Sequence, residues 1–373
     1  GGAAGNGAGM IPEWPRAAGP PRASAVLRSC PEDFRVSEEL GFEPAGEGEH
    51  LFLHLQKRGL NTLDLVRRLA QFSGVPRRDI GYSGLKDRNA VTRQWFSVRL
   101  AGRQEPDWQA LASGGDLQLL AASRHLRKLR RGVHRRNRFT LVLREVAGDC
   151  DGLEERLRRA QARGVPNYFG EQRFGRHGAT LEQAREWAAS PGRRVSRERR
   201  GLYLSALRAQ LFNRLLAARV DAGDWDRLLP GDVCMLQGTR SLFSCEAVDE
   251  ALQARARSGD VHPALPLAGR GKSPAGAQRL AWQAGVLAGE EATWAFLEEA
   301  GLELDWRAAR MLVDDFSWRF CDDRSLQLEF ALPAGGYATA LLAELVRYRE
   351  APPGAGRKPG DHPVASGQAP GEA

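Results

Sequence analysis

The sequence predicts an α+β fold: a mixed or antiparallel sheet interrupted by an inserted, mainly helical α+β domain. Three observations lead there. Strand-like alternation of apolar and polar residues is concentrated toward both ends, at 51–56, 95–100, 139–146 and 325–332. The stretch 164–311 carries mostly helical periodicity instead. Finally, 373 residues exceed what a single core of ordinary size encloses. These patterns place one domain at 23–163 plus 312–350 and an insert at 164–311.

In chain order, residues 1–22 are rich in Gly, Ala and Pro and are expected to be flexible. Leu51, Leu53 and Leu55 point to one side of a strand, with Phe52, His54 and Gln56 on the other. Asn61 is placed to cap a helix whose apolar face is Leu65, Val66, Leu69 and Phe72, and Gly74 to end it. A strand at 95–100 puts Phe96, Val98 and Leu100 on one face, and another follows at 139–146. Leu202 to Val220 reads as a long helix of the insert. Ser325 to Leu332 alternates again, and Ala338 to Arg349 reads as a helix. The tail 351–373 lacks periodicity and is expected to be disordered.

No apolar run reaches the roughly eighteen residues of a membrane span. Gly1 to Gly9 has neither the basic nor the apolar part of a secretory signal. The five cysteines are scattered without a C-x-x-C pair, so neither a disulfide framework nor a zinc site is expected, and each is read as a small buried hydrophobe. A soluble, cytoplasmic protein is the expectation.

The formal net charge is +8, and only five of the 54 basic residues are Lys. Arg suits bidentate phosphate contact and stacking on bases, although a GC-rich genome would also favour it. The charge is clustered. Ser123 to Phe139 holds eight Arg and Lys and no acid in seventeen residues, a density that self-repels unless a polyanion is bound. Arg130, Arg131, Arg135 and Arg136 are its candidate contacts to a nucleic-acid backbone. A second cluster spans Arg193 to Arg200 in the insert. Two separated clusters suit an extended nucleic acid lying across both domains.

Other signals fail on their context. Gly271-Lys272-Ser273 lacks the upstream Gly and strand of a phosphate loop. His50 and His54 fall in a strand and lack the Glu of a zinc hydrolase. No metal and no small-molecule cofactor are expected.

One segment carries chemistry: Gly81-Tyr-Ser-Gly-Leu-Lys86-Asp87-Arg88 running on to Gln94-Trp95-Phe96. It is a Gly-punctuated loop leading into a strand, with one acid between two cations. Flanking cations favour the charged form that a carboxylate nucleophile needs, though a surface ion pair would look the same. This segment closely resembles the signature of the TruD family of tRNA pseudouridine synthases. Pro31-Glu32-Asp33-Phe34, Gly46 to Leu51, Asn61-Thr62, Asn137 to Thr140, Gly164 to Gly175 and Leu332 to Thr339 resemble further family motifs, in the family's order from about residue 24 to 350.

The resemblance implies a pseudouridine-synthase-type catalytic domain with a family-specific insertion. It implies isomerisation of uridine to pseudouridine in tRNA, at position 13 of the D-arm. Asp87 falls where the family has its catalytic aspartate. Phe34, Asn137 and Tyr337 match positions lining the uracil pocket, and Phe139 one that packs beside the base. Tyr337 departs from a position often occupied by Phe, and its hydroxyl needs a partner. Arg28, Lys86 and Arg88 are the candidate charge partners of Asp87. The expected partner is tRNA and the expected state a monomer. A non-catalytic RNA-binding protein or chaperone of the same fold would explain the basic clusters but not Asp87 in an intact loop. A metal-dependent nuclease would need clustered acids.

Overall fold

The computed structural model describes residues 13–190 and 192–351. In chain order its first half is β1 (Ser24–Leu27), β2 (Phe34–Glu39), β3 (His50–Arg58), α1 (Thr62–Ser73), β4 (Ile80–Tyr82), β5 (Val91–Arg99), α2 (Trp108–Leu111), β6 (Leu117–His125), β7 (Arg136–Ala147), α3 (Cys150–Arg163) and β8 (Val165–Pro166). There follow α4 (Ala179–Ala188), α5 (Arg197–Asp221), β9 (Val233–Leu236), β10 (Leu242–Ser244), α6 (Glu250–Ser258), β11 (Val261–Leu267), α7 (Ala277–Val286), α8 (Glu291–Glu299) and β12 (Asp305–Ala308). The chain then returns through β13 (Arg310–Met311), β14 (Asp314–Cys321), β15 (Ser325–Pro333), α9 (Ala338–Leu345) and β16 (Arg347–Glu350).

Strands from both ends share one ten-stranded sheet, ordered β14-β15-β7-β2-β5-β3-β6, with β4 added on β5 and β1 lying between β7 and β16. Most pairs are antiparallel, while β2–β5 and β1–β16 are parallel. The sheet is therefore mixed. The segment between the two parts holds the long α5 and a four-stranded antiparallel sheet, β10-β9-β11-β12. The short β8–β13 ladder joins the two ends of that segment, pairing Pro166 with Arg310 and Val165 with Met311.

The local signals act as sequence physics requires. The Asn61 side chain accepts from the Asp64 amide at 2.8 Å to cap α1. Gly74 ends it in the left-handed region at φ 67°. Leu51, Leu53, Leu55, Phe96, Val98 and Leu100 of the sheet meet Leu65, Val66 and Leu69 of α1 in one buried cluster. A second apolar cluster runs without a break from Phe34, Phe139 and Phe330 to Leu207, Leu211 and Leu215 of α5. The sheet and the α5 region thus share a core, and removing either would strand apolar surface of the other.

Three expectations change. Residues 1–12 and 352–373 lie outside the described residues, but 13–22 are tied down rather than loose. Trp14 stacks on Tyr168 at 5.9 Å. The Glu344 carboxylate accepts from the Ala17 amide at 3.0 and 3.1 Å, and Arg156 donates to the carbonyls of Ala18, Gly19 and Pro20. Low sequence complexity here is compatible with order because distant groups satisfy the backbone. The C-terminal helix stops at Leu345, and 347–350 form β16, because β1 offers that segment a parallel ladder from Ser24–Arg347 to Leu27–Glu350. Cys234 and Cys245 are buried as expected, whereas Cys150 is exposed at the start of α3.

Candidate active site

Asp87 sits in the loop between β4 and β5, and buried side chains staple that loop from below. Thr62 Oγ1 accepts from the Lys86 amide at 2.8 Å and donates to Gln94 Oε1 at 3.0 Å. Gln94 Nε2 donates to the Gly84 carbonyl at 2.5 Å. Lys57, fully buried on β3, donates to the carbonyls of Leu60 at 2.5 Å and Asp87 at 3.2 Å. Burial brings the Lys57 ammonium down to about 8. Gly81 has no room for a side chain, since a Cβ there would strike the Leu129 carbonyl and Ser97 Oγ. The loop is rigid by construction, which a reacting group needs.

The Asp87 carboxylate projects from this platform and is half-exposed. Of its three candidate partners one pairs with it: Arg28 Nη2 donates to Asp87 Oδ2 at 2.7 Å. Lys86 turns inward to Glu38 at 3.0 Å, and burial pushes that carboxyl up despite the ammonium beside it. Arg88 Nε donates to the Gly59 carbonyl at 3.0 Å. Sequence neighbours flank the acid while a residue 59 positions away neutralises it. Arg28 itself is held from three sides. It lies 4.1 Å over the Phe34 ring, donates to Glu350 Oε1 at 2.8 Å, and occupies the left-handed region at φ 58°. That backbone costs a non-glycine residue roughly 1 kcal/mol or more, and such strain gathers at functional sites.

Phe34 meets Phe139 edge-on at 6.2 Å, and Phe139 stacks on Phe330 at 5.0 Å. The register puts Val36 opposite Phe139 and Glu38 opposite Asn137, so Phe34, Phe139 and Asn137 line one face of β2 and β7. Asn137 is 8% exposed, and its Oδ1 is buried without a hydrogen-bond partner. Its Nδ2 lies 3.1 Å from His134 Nε2, and His134 Nδ1 lies 2.5 Å from Ser83 Oγ. Tyr337, at the start of α9, finds the partner its hydroxyl needs in Arg173, which donates from Nη2 at 2.6 Å and Nε at 2.9 Å. No hydrogen bond among the described residues joins Tyr337 to Asp87. Lys57, Ser83 and His134 were missed by sequence reading. Neither periodicity nor charge pattern marks them, because they act through contacts between segments far apart in sequence.

Burial holds the imidazole of His134 down to about 4, and does the same to His262 in the insert. Both fold neutral, whereas unfolded histidine takes its proton near 6.5. Between those values the unfolded chain binds more protons, so stability present above pH 6.5 falls as pH drops toward 4. Burial also holds His54 down to about 4, so replacing all three with Gln should flatten the denaturation midpoint between pH 6.5 and 4.5. An equally steep fall would place the titration elsewhere.

The basic run splits into paired and free cations. Arg136 and Arg138 bridge to Glu39 and Asp315, and Arg124 to Glu105. Arg131 lies over the Tyr82 ring at 5.2 Å and donates to its hydroxyl. Arg130 and Arg135 are exposed, and no hydrogen bond of either side chain occurs among the described residues. No trio of His, Cys, Asp or Glu among the described residues is arranged to hold a metal ion. No described helix is long and apolar enough to cross a membrane.

Comparison with known proteins is consistent across sequence and structure. The family model described as tRNA pseudouridine synthase D (TruD) matches residues 17–184 and 179–345. A tRNA pseudouridine synthase D of Methylococcus capsulatus is 48% identical over 90% of this chain and 95% of its own. One of Nitrosococcus oceani is 49% identical over 89% of this chain and 93% of its own. In fold, the chain is similar to the crystal structure of a putative TruD from Methanosarcina mazei, with a TM-score of 0.65 and 21% identity over 91% of this chain and 96% of the other.

Proposed function

The chain belongs to the TruD family of tRNA pseudouridine synthases, and from that premise we propose that it isomerises uridine at position 13 of the tRNA D-arm, with Asp87 as its catalytic carboxylate. Membership makes it an isomerase acting on tRNA uridine. The observation that carries the finer reading is the Asp87–Arg28 pair at 2.7 Å, on a stapled loop beside an aromatic wall with an unpartnered amide acceptor.

The reaction breaks the N1–C1′ bond, turns the uracil, and joins C5 to C1′. The proton lost from C5 is matched by one gained at N1, so no electrons and no water are consumed. One carboxylate suffices, whether it attacks C1′ or C6 or takes a ribose proton. Arg28 holds its charge and, by lying on Phe34, ties that charge to the pocket wall. A stacked uridine is out of reach of this carboxylate, so the target is flipped from its helix. Phe34, Phe139 and Tyr337 then offer walls, and the Asn137 carboxamide reads the uracil edge. Detection of pseudouridine at position 13 after incubation with unmodified tRNA tests this reading. Product at another position would refute the site assignment, and no product would refute the activity.

The same reading assigns the Ser123–Phe139 run to the tRNA backbone. Replacing Arg130, Arg131, Arg135 and Arg136 by Ala should weaken tRNA binding and flatten its salt dependence, each lost phosphate contact removing roughly 0.7 to 0.9 from the log–log slope. Arg136 is already paired with Glu39, so the loss should come chiefly from the other three. An unchanged slope would make the run a solvated surface.

A further inference from the structure

Where the loop after β15 meets residues 167–173 and β12, two guanidinium groups stand together without a counter-ion. Arg173 donates to the Tyr337 hydroxyl and, at 2.6 Å, to Ser205 Oγ. Arg307 donates to Asn167 Oδ1 at 2.6 Å, to the Asn167 carbonyl at 3.2 Å and to the Gly335 carbonyl at 3.1 Å. Every acceptor is neutral, and among the described residues no carboxylate lies within 4.0 Å of either group. Both lie over one ring, with Arg307 at 4.2 Å and Arg173 at 5.6 Å from the centroid of Phe169. Burial, with the Arg173 charge adding to it, brings Arg307 down to about 10, so Arg307 stays cationic at neutral pH.

Arg208 and Arg310 also donate only to carbonyls, but neither meets a second cation over a shared ring or reaches the start of a helix. Arg307 does reach one. The Gly335 it bonds lies in the turn before α9, at φ 83°, and Tyr337 at the N-cap supplies no side-chain cap. The first-turn amides of α9 therefore add the positive end of a helix to two uncompensated charges. Gly335 is exposed, so the turn is open to solvent.

The geometry points to an anion subsite formed by Arg173, Arg307 and the start of α9, occupied by the backbone phosphate flanking the flipped uridine. Helix starts with convergent cations are ready-made phosphate sites. This assignment rests on the proposed function, because Tyr337 is both a bonding partner of Arg173 and a wall of the base pocket. A phosphate reaching Arg173 is therefore attached to the nucleotide in that pocket or to its immediate neighbour. Two cations from the inserted segment would then register the strand while Asp87, from the other part of the chain, faces the sugar.

The test uses full-length protein and three tRNAs, each with one neutral methylphosphonate: 5′ of the target uridine, 3′ of it, or in the anticodon stem. Wild type should bind one of the two flanking-substituted tRNAs about tenfold more weakly than native tRNA and tolerate the stem substitution. Which flank responds identifies the phosphate. Arg307→Gln should bind native tRNA about tenfold more weakly and no longer distinguish that substituted tRNA, and Arg173→Gln should behave alike, with thermal melting confirming the fold. If wild type binds both flanking-substituted tRNAs as it binds native tRNA, the subsite is refuted without recourse to any variant. These are binding measurements, so a protein that binds tRNA but forms no pseudouridine would overturn the proposed function and leave this result readable.

Discussion

Asp87→Asn should abolish pseudouridine formation, lowering the single-turnover rate more than a thousandfold, or about 4 kcal/mol of barrier, while leaving tRNA affinity nearly unchanged. The substitution preserves the size of the side chain and removes its charge and nucleophilicity. The Arg28 guanidinium can still donate to the amide oxygen, and Phe34 and Glu350 continue to hold it. The staples through Thr62, Gln94 and Lys57 act on backbone atoms, so the loop keeps its shape. The assay is single-turnover conversion beside equilibrium tRNA binding for both proteins. Conversion within tenfold of wild type would make Asp87 a structural partner of Arg28 and nothing more.

The second large effect concerns stability. Arg219 on α5 is almost completely buried and is fully engaged. It donates to Asp224 Oδ1 at 2.6 Å, to both Asp232 oxygens at 3.0 and 3.1 Å, and to the carbonyls of Asp224 and Arg227. Arg219→Ala leaves the buried Asp232 carboxylate without its counter-charge, which should cost about 3–5 kcal/mol of stability. Burial already pushes Asp232 up, so its proton uptake would soften the loss as pH falls. Pairing Arg219→Met with Asp232→Leu should recover most of the loss by removing both charges. A drop below about 1 kcal/mol for the Ala variant in chemical denaturation would show the network to be dispensable.

Local signals in the sequence were enough for elements that satisfy themselves. α1 could be read from Asn61, Asp64 and Gly74 because a cap, a first-turn acid and a left-handed glycine lie within its own span. β3 and β15 could be read because one face is apolar and the period is two. β16 could not, since Arg347–Glu350 has no apolar alternation and becomes a strand only where β1 supplies a ladder. The four-stranded sheet β10-β9-β11-β12 was hidden for a related reason: three of its strands have only three or four residues, and β11 holds two prolines. At the candidate site the loop and its acid were visible as a pattern. The partner of that acid was narrowed to Arg28, Lys86 and Arg88 but not chosen among them, because only folding turns Lys86 to Glu38 and Arg88 to the Gly59 carbonyl and leaves Arg28 on the carboxylate. Arg307 lay outside every charge run and motif, whereas Arg173 sits in the Gly164 to Gly175 motif, where the sequence left open whether it touches RNA or packs in an aromatic turn.

The parallel pairing of β1 with β16 also governs when the site can exist. Arg28 leaves β1 to meet Asp87, and it is steadied by Glu350 at the far end of β16, 322 positions later. During synthesis the ribosome releases Arg28 and Asp87 long before residue 350 emerges. A nascent chain of 300 residues has the acid and its cation, but lacks β15, α9 and the strand that fixes where the cation stands. Contacts of such sequence separation close late and slowly. Until β16 has emerged, the chain therefore carries the Gly81–Phe96 loop and Arg28 without the strand that steadies their pairing.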